Sequence, residues 1–307
     1  MRTLARSVLQ RVRCHLMAAT VSVNGRITDG ERAVVSVFDH GFLYGEGVYE
    51  TLRTYDRRLF LYDRHAQRLR RSAAMIALDL RFTDEELLGA IEDTMRSAGL
   101  SSEAYVRVLV TRGVGELSYD PTVTPSHTLV IIVKPQVDPP ESAYRDGVRV
   151  VIVDIIRNHP GSVNPMIKSN NLMNNALAMQ EALRRGAFEG VMRNFRGELT
   201  ECTTANLFVV RNGSVLTPPV EAGLLPGITR EFMFEMGAAI GVDVREAALN
   251  DDDLYDADEA FLTSTTREAV PIVTVDDRTI GSGSPGPVTL RLLYAFRRAA
   301  RAGWSQT

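Results

Sequence analysis

The feature that most restricts the fold is the succession of β-rich runs with no helix between them. AYVRVLVTRG (residues 104–113) and HTLVIIVKP (127–135) follow one another across a Gly/Pro/Asp loop, and VSVNGRI (21–27) carries Asn24-Gly25, a tight hairpin turn. GVYETLRTYDRRLFLY (47–62) predicts two more paired strands. Strict strand–helix–strand alternation is absent and no GxGxxG follows a strand, which argues against a nicotinamide-binding Rossmann fold. We therefore predict an α+β fold with antiparallel or mixed sheets in both halves.

Helical patterns alternate with these strands. Asp63 is predicted to cap a helix over residues 64–78, and Thr83 to open another over 84–99. In the second half we predict a strand over residues 148–157, an antiparallel meander over 188–218, and a strand near 256–264. Further helices are predicted over residues 169–187, 228–242 and 288–303.

Composition divides the chain and limits its partners. A stretch with three prolines predicts an interdomain linker at residues 135–146, between a small domain (20–134) and a larger one (147–307). Residues 1–19 are predicted to form a disordered tail. A formal net charge of -3 disfavours nucleic acid and anionic membranes as partners. Two cysteines favour a reducing cytoplasm, and we expect no metal site.

Lysine is scarce, since Lys134 and Lys168 are the two lysines in the chain. Lys168 lies between a β-rich segment and a predicted helix, and the apolar residues around it predict partial burial. Burial favours the neutral amine of a lysine, which is the form that attacks a carbonyl carbon. An exposed lysine is the commoner case. Lys168 is thus a candidate nucleophile that needs support from other motifs.

Other segments carry candidate site residues. Glu201, in GELTECTTANLFVV, could hold a protonated ring nitrogen or simply face solvent on a strand. In PGITREFMFEMG the amides of Ile228 and Thr229 open a helix, where a phosphate could bind, although plain capping gives the same pattern. The cluster FLTSTTREAVPI predicts a turn with free hydroxyls, and Arg68 lies on a predicted helix that could face a phosphate.

In their order along the chain, these segments resemble one known family. FDHGFLYGEGVYETLR, RHAQRLRRSA, IKSNNLMNNALAMQEA, ELTECTTANLFVV, GLLPGITR and FLTSTTREAVPI are similar to motifs of the fold-type IV (class IV) pyridoxal-phosphate-dependent aminotransferases. The resemblance covers the chain from about Val21 to the last predicted helix. It implies the two-domain architecture of that family, pyridoxal 5′-phosphate as cofactor, and a homodimer whose loop RGVGELSYDP reaches toward a neighbouring subunit.

The resemblance also implies a role for particular residues. Lys168 would bind the cofactor covalently and move a proton between substrate and cofactor, while Glu201 would pair with the ring nitrogen. The implied phosphate ligands are Arg68, Ile228, Thr229 and Thr265. The implied substrate-binding residues are Tyr44, Tyr49, Arg107 and Thr266, with Phe42 beside the tyrosines.

The resemblance is closest to branched-chain amino acid aminotransferase, which implies transfer of an amino group from a branched-chain L-amino acid to a 2-oxo acid such as 2-oxoglutarate. Some branched-chain enzymes have tyrosine where Met173 stands here. Leu117 and Tyr119 stand where the best-known D-amino-acid enzymes have the Arg and His that clamp the substrate carboxylate. Glu50 stands where the lyases prefer threonine. A D-amino-acid transaminase, an aminodeoxychorismate lyase and a non-catalytic cofactor-binding relative remain the alternatives.

Overall fold

The computed structural model describes residues 19–302, which form two units. The first unit contains residues 19–137 together with Lys168–Asn171, and the second contains Asp138–Ile167 and residues 172–302. The predicted linker, residues 135–146, contains this boundary and also a short helix. Residues 1–18 of the predicted tail lie outside the described residues, whereas Ala19 is buried and its carbonyl accepts a hydrogen bond from the Gly30 amide.

The first unit is built on a six-stranded sheet in the order β2-β1-β6-β5-β3-β4, with antiparallel neighbours throughout. Its strands are β1 (Thr20–Val23), β2 (Arg26–Asp29), β3 (Gly47–Tyr55), β4 (Arg58–Leu59), β5 (Ala104–Thr111) and β6 (Thr128–Pro135). Along β5, buried and half-buried residues alternate, as expected of a strand with one face on the core. The hairpins predicted from the sequence are confirmed.

The helices of the first unit are α1 (His40–Leu43), α2 (Tyr62–Met75) and α3 (Asp84–Ala98), with a 3₁₀ turn at Pro121–Val123. Thr83 caps α3 as predicted, since its hydroxyl accepts from the Glu86 amide and the Glu86 carboxylate accepts from the Thr83 amide. The prediction for Asp63 is wrong. Helix α2 begins two residues earlier, at Tyr62, after Leu61 in the left-handed conformation, and it ends before Ala77, where φ is 48°.

In the second unit, six strands pair in the order β10, β13, β14, β7, β8 and β9. Strand β9 pairs again with β10, so the six strands form a closed ring. Strands β11 and β12 extend the sheet from β10, and β15 pairs with β14. The pairs β7–β8, β7–β14 and β11–β12 are parallel and the others antiparallel, which is the predicted mixed sheet. The strands are β7 (Val148–Ile152), β8 (Glu189–Arg193), β9 (Leu199–Cys202), β10 (Asn206–Arg211), β11 (Ser214–Thr217), β12 (Val244–Glu246), β13 (Glu259–Ser264), β14 (Glu268–Val275) and β15 (Arg278–Thr279).

The helices of the second unit are α4 (Glu141–Arg145), α5 (Met173–Arg184), α6 (Ile228–Ile240), α7 (Asp251–Tyr255) and α8 (Pro287–Ala302), with a 3₁₀ turn at Val220–Ala222. Helix α5 is shorter than predicted at both ends. Residues 168–171 were assigned to the larger domain, but they pair with β3 of the first unit and therefore belong to it.

Among residues 19–302, no helix is long and apolar enough to cross a membrane. Over the same residues, no group of three or more His, Cys, Asp or Glu side chains could hold a metal ion.

Candidate active site

Backbone hydrogen bonds fix Lys168 against strand β3. The Lys168 carbonyl accepts from the Tyr49 amide at 2.9 Å, and the Asn170 amide donates to the Gly47 carbonyl at 3.0 Å. On its other side, the Lys168 amide donates to the Ser72 hydroxyl of α2 at 3.1 Å. The main chain of this lysine is thus held by both a strand and a helix.

The aromatic ring of Tyr49 brings two cationic side chains together. Lys168 Nζ lies 4.6 Å from the ring centroid, and Arg107 Cζ lies 4.2 Å from it. Both are cation–π distances. Arg107 stands opposite Thr51 on β5, so it shares a face of the sheet with Tyr49. Three of the predicted site residues therefore form one half-buried cluster.

A close backbone approach explains why glycine precedes this cluster. A Cβ on Gly47 would lie 2.7 Å from the Val110 carbonyl oxygen and 2.8 Å from the side-chain amide of Asn170. Only glycine leaves room for residues 168–170 beside β3.

The opposite face of β3 carries a buried charge network around Glu50. Arg68 donates to both oxygens of the Glu50 carboxylate at 2.7 Å, and His65 Nδ1 lies 2.7 Å from the same group. Burial would raise the pKa of Glu50, but the charge and hydrogen bonds of Arg68, with help from His65, outweigh it and hold that pKa far below its usual range. Burial lowers the pKa of His65. The network therefore contains an ionised carboxylate, a cation and a neutral imidazole.

This network changes the interpretation of Arg68 as a phosphate ligand. Its Nε and Nη2 atoms both donate to Glu50, so the guanidinium is held in place by the protein itself. Glu50 was not predicted as a partner of Arg68, because the two residues lie on a strand and a helix and are 18 residues apart in the sequence.

Tyr44, a predicted substrate-binding residue, lies between two aromatic rings. Its ring centroid is 5.0 Å from that of His40 and 5.0 Å from that of Tyr119. His40 Nε2 also lies 2.9 Å from the Glu116 carbonyl, which holds the loop 113–119 near α1. Phe42, expected beside the tyrosines, is 68% exposed.

In the second unit, Glu201 is buried and has a donor on each carboxylate oxygen. Arg157 Nε donates to Oε1 at 2.9 Å, while the Asn206 side chain and the Leu225 amide donate to Oε2 at 3.3 and 3.2 Å. These donors stabilise the ionised carboxylate. Arg157 was missed from the sequence, although an arginine that ends the apolar run VIVDIIR was an available signal.

Cys202 follows Glu201 and is buried. Burial, and then the negative charge of Glu189, raise the pKa of its thiol. The thiol is therefore neutral and packs as a small apolar group rather than acting as a nucleophile.

Helix α6 begins at Ile228, as predicted, and its N-cap residue Gly227 provides no side-chain cap. The amides of Ile228 and Thr229, in the first turn, have no acceptor within the helix, because their i−4 partners precede it. A Cβ on Gly227 would lie 1.9 Å from Asn206 Oδ1, so this helix start packs directly against the end of β10. Such an N-terminus suits an anion.

Thr265 and Thr266 occupy a tight turn between β13 and β14, as the sequence predicted. The turn closes through the Arg267 amide, which donates to the Ser264 carbonyl at 3.1 Å, and Ser264 pairs with Glu268. Within residues 19–302 the buried hydroxyl of Ser264 has no hydrogen-bond partner. The Ser264 hydroxyl at this turn and the first-turn amides of α6 fit a phosphate group, and the Glu201 carboxylate fits a protonated ring nitrogen. The residues of the second unit thus fit these two parts of a phosphorylated pyridine cofactor.

Comparison with known proteins identifies the family. The family model "Amino-transferase class IV" matches residues 47–275. The chain belongs to the class IV aminotransferase family. It is 38% identical over 277 residues to the "Putative branched-chain-amino-acid aminotransferase" of Methanocaldococcus jannaschii, covering 90% of this chain and 95% of that protein.

Two further relatives define the range of activities. The D-alanine aminotransferase of Bacillus licheniformis is 33% identical over 292 residues, covering 94% of this chain and 99% of that protein. The crystal structure of Escherichia coli branched-chain amino acid aminotransferase superposes with a TM-score of 0.89 at 31% identity, covering 94% of this chain and 96% of that one. These matches confirm the predicted fold class and make the chain a pyridoxal-phosphate-dependent aminotransferase.

The His65 imidazole should make the stability of the protein sensitive to mild acid. Its pKa in the folded state lies below the ordinary value of 6.5, so the unfolded chain takes up a proton first as the pH falls through that value. We expect the free energy of unfolding to decrease from about pH 8 to pH 5.5, and His65→Asn to flatten this slope. The contribution of Glu50 is lost only below its ordinary value of 4.5, outside this window. Urea unfolding at several pH values measures the slope.

The control is His159→Asn, because His159 is an exposed histidine. It should retain the wild-type slope. An unchanged slope in His65→Asn would show that His65 does not remain neutral in the folded protein.

Proposed function

We propose that this class IV aminotransferase transfers the amino group of a branched-chain L-amino acid to a 2-oxo acid such as 2-oxoglutarate, with Lys168 as the catalytic residue. The observation that carries the proposal is the cluster of Lys168, Tyr49 and Arg107 on one face of the first sheet. The two relatives named for branched-chain substrates support the donor class.

Pyridoxal phosphate, when bound, supplies the carbonyl carbon that reacts with amines and a ring that accepts electrons from the substrate Cα. Lys168 would hold the cofactor, and its Nζ atom would move the proton that leaves the Cα of the amino acid. Glu201, which Arg157 holds in place, would pair with the protonated ring nitrogen. The amides of Ile228 and Thr229, the Thr265 turn and Arg68 would hold the phosphate.

The substrate side follows from the Tyr49 cluster. The tyrosine rings of Tyr44 and Tyr49 offer an apolar wall to a branched side chain, and Thr266 offers a hydroxyl to its carboxylate. Arg107 provides a guanidinium for the second carboxylate of a 2-oxo acid acceptor. One site can thus accept an apolar donor and a dicarboxylic acceptor in turn.

A second subunit is part of the proposal. An apolar patch on the first unit comprises the exposed side chains of Val34, Val35, Val37, Phe38, Phe42, Val114, Leu117 and Tyr119, each at least 46% exposed. Its two segments are adjacent, because Asp39 pairs with Val114 and the Gly115 amide donates to the Phe38 carbonyl. Exposed apolar surface of this kind marks a protein interface, and a second copy of the chain is the proposed occupant.

We also place the enzyme in the cytoplasm. The support is its cysteine usage: of the two cysteines, Cys202 is buried and not in a disulfide.

The D-alanine aminotransferase similarity supports a second candidate, transfer from a D-amino acid. The patch residues Leu117 and Tyr119, in the loop near Tyr44, provide no charged group to clamp a carboxylate in that orientation.

The two lysines provide a matched test of catalysis. Lys168→Ala should lower kcat with L-leucine and 2-oxoglutarate by about a thousandfold or more, because no other amine is held at that place. It should also remove the borohydride-fixable absorption band of the bound cofactor. Lys134→Ala is the control, since the amine of Lys134, on β6, lies against the Tyr105 ring of β5. This variant should leave both kcat and the absorption band unchanged. A Lys168→Ala enzyme with normal turnover would refute the assignment.

The donor is tested by comparing kcat/KM for L-leucine and D-alanine with the wild-type enzyme. We expect L-leucine to be preferred by about a hundredfold, because its side chain matches the tyrosine-lined wall and D-alanine presents its carboxylate to the wrong side. A preference for D-alanine would favour the second candidate and leave the cofactor chemistry intact.

The dimer is tested by placing a charge in the apolar patch. Phe42→Glu and Leu117→Glu should each convert a dimer into a monomer in sedimentation at micromolar protein, because a buried unpaired charge opposes association. Val137→Glu is the control: Val137 is 70% exposed but outside the patch. A wild-type monomer, or variants that stay dimeric, would contradict the assignment of the interface.

A further inference from the structure

Glu189 is a fully buried carboxylate that the proposed reaction does not use. It stands at the start of β8, within the closed ring, and is 0% exposed. Five donors surround it: the Gly190 amide, the Thr203 amide and hydroxyl, the Thr204 hydroxyl and the Arg267 guanidinium. So many donors on one buried group indicate a fixed structural node.

One set of these donors comes from the turn between β9 and β10. The Thr203 amide lies 3.2 Å and the Thr204 hydroxyl 2.5 Å from the Glu189 carboxylate. Glu201 and Asn206 flank this turn and pair with each other. Glu201 also has its own donors from Arg157 and Leu225, so its position does not depend on Glu189 alone.

Another donor comes from the turn between β13 and β14. Arg267 Nη1 lies 2.7 Å from Glu189 Oε1, and Arg267 Nη2 donates to the Thr204 hydroxyl at 2.9 Å. The Arg267 carbonyl accepts from the Tyr144 hydroxyl at 3.0 Å, and its amide closes the turn on Ser264. Arg267 is therefore tied to the protein at its side chain and at both main-chain groups.

The connection matters because Thr265 and Thr266 immediately precede Arg267. The turn has no apolar side chain of its own to anchor it, and its fixed points are Ser264, Arg267 and the strands on either side. The ion pair with Glu189 is largely buried, with side-chain exposures of 22% for Arg267 and 0% for Glu189. Removing one partner would leave a buried charge without its counter-charge, which displaces the other partner.

We propose that Glu189 and Arg267 form a positioning pair that fixes the 264–267 turn for binding the phosphate group of the cofactor. This inference rests on the proposed role of Thr265 as a phosphate ligand. The pair touches neither substrate nor cofactor and acts through the turn. Phosphate binding depends on it, whereas binding of the pyridine ring depends on Glu201 and Arg157.

Cofactor binding by the apoprotein separates these two contributions. Glu189→Gln and Arg267→Met should each raise the Kd for pyridoxal 5′-phosphate by about tenfold, and the double variant should raise it no further, because either change already breaks the pair. The Kd for pyridoxal, which lacks the phosphate, should change less than about twofold. A purely structural role would weaken both ligands equally.

Two variants complete the design. Arg211→Met is the matched control, because Arg211 forms a partly buried ion pair with Asp253 at the far end of β10. It should leave both Kd values unchanged. Thr204→Val removes the hydroxyl that bridges Glu189 and Arg267. Because Thr204 is exposed, this variant should fold even if the variants at buried positions do not. It should raise the Kd for pyridoxal 5′-phosphate about threefold.

The outcomes are distinct. Variants that bind pyridoxal phosphate as tightly as the wild type, or that lose both ligands in parallel, overturn the positioning role and leave the proposed function standing. A wild-type apoprotein that binds neither ligand overturns the proposed function and the inference together.

Discussion

The backbone pairing of residues 168–170 with β3 is the interaction on which the first half of the site depends. Because of this pairing, Lys168 is held against β3, the strand that carries Tyr49. Arg107, on the neighbouring strand β5, contacts the same tyrosine ring as the Lys168 amine. A lysine on a mobile loop would lose backbone conformational entropy each time it reached a reacting atom, whereas here the main chain is already ordered. The glycine at position 47 is a requirement of this pairing, because any side chain there would push the segment away from the strand.

Three of the predicted cofactor-binding groups lie at ion pairs within the protein itself. Glu201 faces Arg157, Arg68 faces Glu50, and the Thr265 turn is tied down through Arg267 and Glu189. Such pairs cost desolvation, and they stabilise a fold less than their number suggests. Their value lies in geometry, since groups fixed before binding need no reorganisation when the ligand arrives.

The sequence was sufficient for whatever depends on neighbours along the chain. Strand alternation, the Asn24-Gly25 turn and the Thr83 cap are local, and the order of motifs gave the family. It was not sufficient for contacts between distant segments: Arg157 lies 44 residues from Glu201, and Glu189 lies 78 residues from Arg267. The start of α2 was missed for a different reason, because Leu61 adopts a left-handed conformation that its residue type does not favour. The assignment of Lys168–Asn171 to the first unit likewise rests on pairing that no local pattern reveals.

The closed ring of strands in the second unit has an implication for how such enzymes diverge. Glu201 and Asn206 form the one residue pair that closes the ring, so the proposed partner of the ring nitrogen lies where the strands cannot shift register without opening the ring. By contrast, Tyr44, Leu117 and Tyr119 lie in connections outside the strands of the first sheet, where a change of residue disturbs fewer backbone hydrogen bonds. Substitutions in these connections can therefore alter the substrate pocket without moving the residue pair that closes the ring of the second unit.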